Sequence, residues 1–337
     1  MKRSAAVFVA IVALAVSSPP AAFAFADGQA NNGSGASIRT EQGPRIDTSV
    51  PALHFRTIRP DEVDSPEAPA DDFIADQFAT LDTRAERMQG RLVVFLAGAT
   101  SPPDRTMTEY LASLGFHVLA PHYSNAYGIP TICPQDPDPD CHRLGRQEAF
   151  EGTDLSPFID ITRGNSIEER VTRMLKFLVT DMPEGDWGFF LDGDLPRWDR
   201  ITISGTSHGA STSGLIGMIR RTERVVMLSG PSDNIDGQPA AWTHRTPLTP
   251  IERFFGFSHT ADAQLPDHLR DFEAMGLLGT PTSVDGATPP FGGSHRLTTS
   301  ADSTNGHVST KAGAASPQNP DGTFLFDPVW RSIYGVC

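Results

Sequence analysis

Ser207 stands at the centre of Gly205-Thr206-Ser207-His208-Gly209, a G-x-S-x-G pattern. A serine hydroxyl acts as a nucleophile when a base takes its proton and donors await the charge that develops on the oxygen of the attacked carbonyl. The pattern serves that chemistry only where a strand precedes it and a helix follows. The sharp turn then lifts the hydroxyl above a sheet edge, at a helix N-terminus that favours developing negative charge. Glycines two residues to either side let strand and helix approach closely. Without that context the pattern is a glycine-rich turn with an idle serine.

The flanking residues supply the context. Ile201-Thr-Ile-Ser204 is an apolar run of strand length, and the small residues from His208 onward read as a closely packed helix. The same alternation runs through most of the chain. Arg91–Leu96 is a continuous apolar run, Met107–Leu114 carries helical spacing and ends at Gly115, and His117–Ala120 is the next strand. Ser166 with Glu169 three residues on makes a capping box that opens a helix to about Val179. Strands follow at Arg224–Leu228, Arg253–Phe257 and His295–Thr299, with a helix near Asp267–Met275 and a closing helix capped by Asp327 and running to Tyr334. Strands apolar on both faces, alternating with helices, predict an α/β fold: a mostly parallel central sheet covered on both faces. Order is expected to begin at about Arg91. Residues 60–72, acidic with three prolines, and the stretch 280–323 read as loop.

With Ser207 set in this alternation, residues 90–335 resemble the α/β-hydrolase superfamily. The resemblance implies a nucleophile-elbow serine followed in the chain by an acid and then a histidine, each at the C-terminal edge of the sheet. Asp262, just past the strand ending at Phe257, matches the acid, and His307 in Asn305-Gly306-His307 matches the histidine. Asp233, after the strand 224–228, is an alternative acid. The oxyanion hole would use the amides of His208 and Ala99. Here the chain has Ala97-Gly98 where the superfamily often has His-Gly. His122 and His208 lie near the active edge as candidate pocket-lining residues. His117 and His295 fall at strand starts, and His268 within a surface helix. The implied activity is a secreted serine hydrolase cleaving a small-molecule or polymeric ester through an acyl-enzyme. A peptidase or acyltransferase of the same fold is the alternative, as is a non-catalytic binding protein on a hydrolase scaffold. In this superfamily an insertion such as 230–252 often sits over the pocket, where Trp242 would either form an apolar wall or pack the insertion down.

Composition and motifs narrow the partners. The formal charge of −14, with no run of five basic residues, argues against nucleic acid, whose phosphates are held by clustered Lys and Arg. At 39% hydrophobic residues the chain can bury a core, and disorder is not expected. No metal or cofactor is expected: there is no H-E-x-x-H, no C-x-x-C and no phosphate or dinucleotide fingerprint.

Residues 1–26 read as a signal peptide: Lys2 and Arg3, an apolar stretch from Ala5 to Val16, and A-x-A sites ending at Ala24 or Ala26. That stretch is too short to span a bilayer, and no later segment is long enough. A secreted or periplasmic location follows, with 27–50 a flexible leader and 51–337 a single domain. In an oxidising compartment Cys133 and Cys141 would form a disulfide around an acidic loop, and on the chain-entropy account so short a loop adds roughly 2–3 kcal/mol. Cys337 is left over.

Overall fold

A computed structural model describes residues 43–63 and 75–336. Residues 1–26, expected as a signal peptide, residues 27–42 of the expected leader, 64–72 of the acidic loop and Cys337 lie outside the described residues. The strands that position the chemistry are β1 (Leu53–Ile58), β2 (Gln77–Asp82), β3 (Leu92–Leu96), β4 (His117–Ala120) and β5 (Ile201–Thr206). They continue with β6 (Arg224–Leu228), β7 (Phe254–His259), β8 (Thr282–Ser283) and β9 (Arg296–Thr299). Among the described residues these nine form one sheet in the order β1-β2-β4-β3-β5-β6-β7-β9-β8. β1 and β2 pair antiparallel, as do β2 and β4, and every other neighbouring pair is parallel.

The continuous apolar runs are explained by burial on both sides. Leu92, Val94 and Leu96 of β3 enter one core layer, while Val93 and Phe95 enter the other, as the two-residue period of a strand requires. Helices α1 (Arg105–Ser113) and α6 (Asp327–Tyr334) pack on the second layer. Helices α3 (Ile167–Asp181), α4 (His208–Ile219) and α5 (Leu265–Ala274) pack on the first, and α2 (Cys141–Glu151) lies against α3 and α4. The Ser166 hydroxyl accepts from the Glu169 amide at 3.2 Å, capping α3 as the capping box predicts. Contacts group Gly43–Cys337 into one compact unit.

Four local features differ from expectation. Order begins well before Arg91, because β1 and β2 extend the sheet antiparallel; β1 is half-exposed and so lacks the apolar run that marks a central strand. Residues 43–50 form no helix or strand but are tied to the body. The Arg45 amide donates to Asp186 Oδ2 at 2.8 Å and the Asp47 amide to the Glu184 carbonyl at 2.8 Å. Helix α2 was not anticipated, since its buried face carries His142, Arg146 and Glu148 in place of an apolar stripe. Asp327 is the first residue of α6 and does not cap it; its carboxylate accepts from Tyr110 Oη and Arg331 Nε, both at 2.8 Å. Cys133 and Cys141 are joined, with Cα atoms 5.5 Å apart, at the entrance to α2.

Candidate active site

Four loops at the C-terminal ends of the parallel strands meet at Ser207. β5 runs straight into α4 through that one residue, whose φ of 54° and ψ of −119° lie where non-glycine residues are rarely found. The Ser207 amide donates to the Leu228 carbonyl at 2.9 Å, which pins the turn to β6. Both glycines of the motif are sterically required. A Cβ on Gly209 would stand 2.3 Å from the Leu96 carbonyl oxygen, and one on Gly205 would stand 2.5 Å from the Gly209 backbone. The residues of α4 from His208 to Met218 are all buried, so the helix stays small-sided to lie flat on the sheet.

His307 reaches Ser207 from the loop after β9. Its Nε2 is 2.8 Å from Ser207 Oγ, and its Nδ1 is 2.7 Å from Asp262 Oδ2. A carboxylate only accepts, so Nδ1 carries the proton and Nε2 is left to accept from the serine hydroxyl. Asp262 follows β7 and is buried, with Oδ1 accepting the Gln264 amide at 2.9 Å. Burial alone would raise its pKa, but the His307 hydrogen bond and the Gln264 amide together hold it below the ordinary aspartate value. The carboxyl is therefore ionised at neutral pH. The loops are braced on each other: His259 Nε2 contacts the Ala301 carbonyl at 2.7 Å, and Ser229 and Thr310 share a 2.8 Å hydroxyl contact.

Beside Ser207 lies an open cleft of about 580 Å³, walled by Ala97–Ala99, Pro102, Pro103 and Lys311. Ala99 lines it, and the His208 amide opens α4 in the first turn, where N–H groups lack helical partners. Lys311 pairs with Asp104, whose other oxygen accepts the Met107 amide at 2.9 Å and caps α1. The serine–histidine–carboxylate chain with two loop amides at hand is an arrangement able to generate a nucleophile and hold an oxyanion.

The remaining candidates go elsewhere. Asp233, the alternative acid, forms a buried two-pronged ion pair with Arg146 at 2.6 Å for each contact, and accepts Trp242 Nε1 at 3.0 Å. Burial opposes its ionisation, but the Arg146 guanidinium holds it well below the usual carboxylate range. The His208 ring is buried against Tyr127, and His122 is buried as well; neither side chain lines the cleft. Trp242 is fully buried and packs the 230–252 segment onto α4; that segment contributes no residue to the cleft wall. Among the described residues no group of three or more His, Cys, Asp or Glu could hold a metal ion, and no helix is long and apolar enough to cross a membrane.

Two buried groups escaped the sequence reading. His268 of α5, expected on a surface helix, is fully buried, with Nδ1 3.0 Å from Ser258 Oγ and 4.0 Å from Asp262 Oδ2. Burial pushes its pKa down to about 4, so it stays neutral behind the charged Asp262. Its place three residues after Leu265 and four before Phe272 was the available signal, since that spacing defines one helix face. Asp271, also on α5, accepts the Asp233 amide at 3.0 Å, while its Oδ1 is buried without a partner. Burial and the neighbouring Asp233 charge raise its pKa well above the ordinary value, so the fold favours its protonated form.

A carboxyl raised in this way gives its full stability below the unfolded pKa and loses stability as pH climbs toward the folded pKa. Asp271→Asn, neutral at every pH, removes that loss. Its stability relative to wild type is expected to rise as pH climbs above about 4, by on the order of 1 kcal/mol per pH unit at most, and to level off once the wild-type carboxyl ionises in the fold. Calorimetry across that range is the check; parallel curves would mean that Asp271 is charged in the fold.

The sequence matches no protein-family model, and comparison with curated proteins returns no match.

Proposed function

We propose that this chain is an exported serine hydrolase of α/β-hydrolase architecture that cleaves carboxylic esters. The observation that carries the reading is His307 bridging Ser207 Oγ at 2.8 Å and Asp262 Oδ2 at 2.7 Å, with Ser207 on the turn between β5 and α4. His307 Nε2 takes the hydroxyl proton as Ser207 Oγ attacks the ester carbonyl, and Asp262 stabilises the imidazolium that forms. The Ala99 and His208 amides hold the oxyanion. The imidazolium then protonates the departing alkoxide, leaving an acyl-enzyme, and His307 next deprotonates a water that attacks it and releases the acid. An open cleft suits a substrate presented from solvent, and an ester asks less of the general acid than an amide does. The Cys133–Cys141 disulfide supports export, because such bonds persist in oxidising compartments.

Labelling with a fluorophosphonate followed by peptide mapping tests this reading. One adduct on Ser207, absent after His307→Ala, is expected. A folded protein that takes no label at Ser207 would overturn it.

A further inference from the structure

The loop that carries the Ala99 amide is held from behind by two side chains that never enter the cleft. Asn125, in the segment after β4, is buried, and its Nδ2 donates to the Gly98 carbonyl at 2.7 Å and the Ser101 carbonyl at 2.9 Å. Its own carbonyl accepts the Thr100 amide at 3.4 Å, where the loop turns sharply through a φ of 56°. Tyr123, two residues earlier and also buried, donates its hydroxyl to the Ala97 carbonyl at 2.6 Å. Three carbonyls of one short loop are thus drawn toward the interior by donors from one neighbouring segment.

We propose that Asn125 is a positioning residue that aims the Ala99 amide into the cleft at the oxygen of the carbonyl that Ser207 attacks, and that Tyr123 aims the Gly98 amide in the same way. In a planar trans peptide the carbonyl of one residue and the N–H of the next point in opposite directions. Anchoring the Gly98 oxygen to Asn125 turns the Ala99 N–H away from Asn125, and anchoring the Ala97 oxygen to Tyr123 does the same for the Gly98 N–H. Gly98 lies against the nucleophile: a Cβ built on it would stand 3.5 Å from Ser207 Cβ. The carboxamide can face these partners only through nitrogen, because both are carbonyl oxygens. Its Oδ1 is buried with no partner. Leaving a polar atom unpaired costs stability, so the side chain is poorly explained as a stabilising element alone. Glycine at 98 leaves this backbone permissive, and the two side-chain donors supply the orientation together with the Ser101 amide, which also donates to the Gly98 oxygen at 3.1 Å.

The assignment rests on the serine-hydrolase reading, and the experiment separates the two. Wild type, Asn125→Ala, Asn125→Asp and Tyr123→Phe are compared on an ester that the wild type hydrolyses. Loss of a properly aimed oxyanion donor is expected to lower kcat by about 10- to 100-fold in Asn125→Ala with KM nearly unchanged, and by less in Tyr123→Phe. A trifluoromethyl ketone, which forms a tetrahedral oxyanion on Ser207, should lose affinity by the same factor, while the methyl ketone of equal chain length should not. In Asn125→Asp the ratio of kcat to that of wild type should fall as pH rises, because only the protonated carboxyl can donate to the Gly98 oxygen. Unchanged kcat in Asn125→Ala and Tyr123→Phe would overturn the assignment. So would equal losses for both ketones, which would mark a structural role. If Asn125→Ala does not fold, the pH dependence of Asn125→Asp decides the question for the Ala99 amide, and Tyr123→Phe, which keeps the ring in place, decides it for the Gly98 amide. A wild type that takes no fluorophosphonate at Ser207 would remove the underlying reading and this assignment with it.

Discussion

Ser207→Ala is expected to abolish ester hydrolysis, lowering kcat by about a million-fold, and His307→Ala to do nearly the same. Each removes one half of a single act, the transfer of the serine proton to Nε2 as the oxygen attacks. The double variant should therefore be no worse than either single one. Stability should barely respond: among the described residues the only side chain bonded to the Ser207 hydroxyl is His307, and His307 is partly open to solvent. A shift within about 0.5 kcal/mol is expected for Ser207→Ala. The measurement is kcat on short-chain esters alongside denaturant unfolding of the same samples. Multiplicative losses in the double variant, or hydrolysis that survives in Ser207→Ala, would mean that these two side chains do not act as one unit.

The second prediction separates the two aspartates, which differ in what surrounds them. Asp262→Asn should lower kcat by about 10,000-fold, because an amide opposite Nδ1 no longer enforces the tautomer that leaves Nε2 able to accept. Its fold should survive, as Asn keeps an oxygen for the Gln264 amide. Asp233→Ala should do the reverse. It strands the Arg146 guanidinium in the interior without its carboxylate, a defect that costs about 3–5 kcal/mol. Arg146 also donates to the His208 carbonyl at 3.2 Å and to Thr212 Oγ1 at 3.0 Å, so the start of α4 loosens with it. Replacing both partners, as in Arg146→Met with Asp233→Leu, should recover much of that stability, since no charge is then left buried. Urea unfolding and kcat on the same variants provide the readout. Asp233→Ala losing turnover at full stability, with Asp262→Asn unaffected, would reverse the roles.

This contrast also shows how far residue order reaches. Asp233 and Asp262 each follow a strand of the parallel sheet, and local sequence offers no ground for choosing between them. The choice depends on Arg146, which is 87 residues from Asp233 and lies on a helix without an apolar stripe. Periodicity reports which face of an element is buried, and it misreads a helix whose buried face is charged. The same limit hid His268, whose helix face was readable but whose position behind Asp262 was not. β1 and β2 were missed for a related reason. β1, at the sheet edge, is half-exposed, and β2 is buried but reads Gln-Phe-Ala-Thr-Leu-Asp, so neither forms an unbroken apolar run.

What the sequence determined by itself is what short-range physics controls. The two-sided apolar strands demanded a covered parallel sheet. Ser166 and Glu169 set the start of α3, and the short spacing of Cys133 and Cys141 let them pair. Gly205 and Gly209 around Ser207 marked the tight turn from strand to helix, although the 2.3 Å clash that a Cβ on Gly209 would make with the Leu96 carbonyl oxygen belongs to the packed sheet. What the tertiary structure alone decided is every relation between distant loops. It brought His307 to both Ser207 and Asp262, took Asp233 away into an ion pair, laid Trp242 into the core and set Asn125 behind Gly98. These are contacts across 27 to 100 residues, and a hydrogen bond is specified by a few tenths of an ångström that only the packed sheet and its braced loops can define.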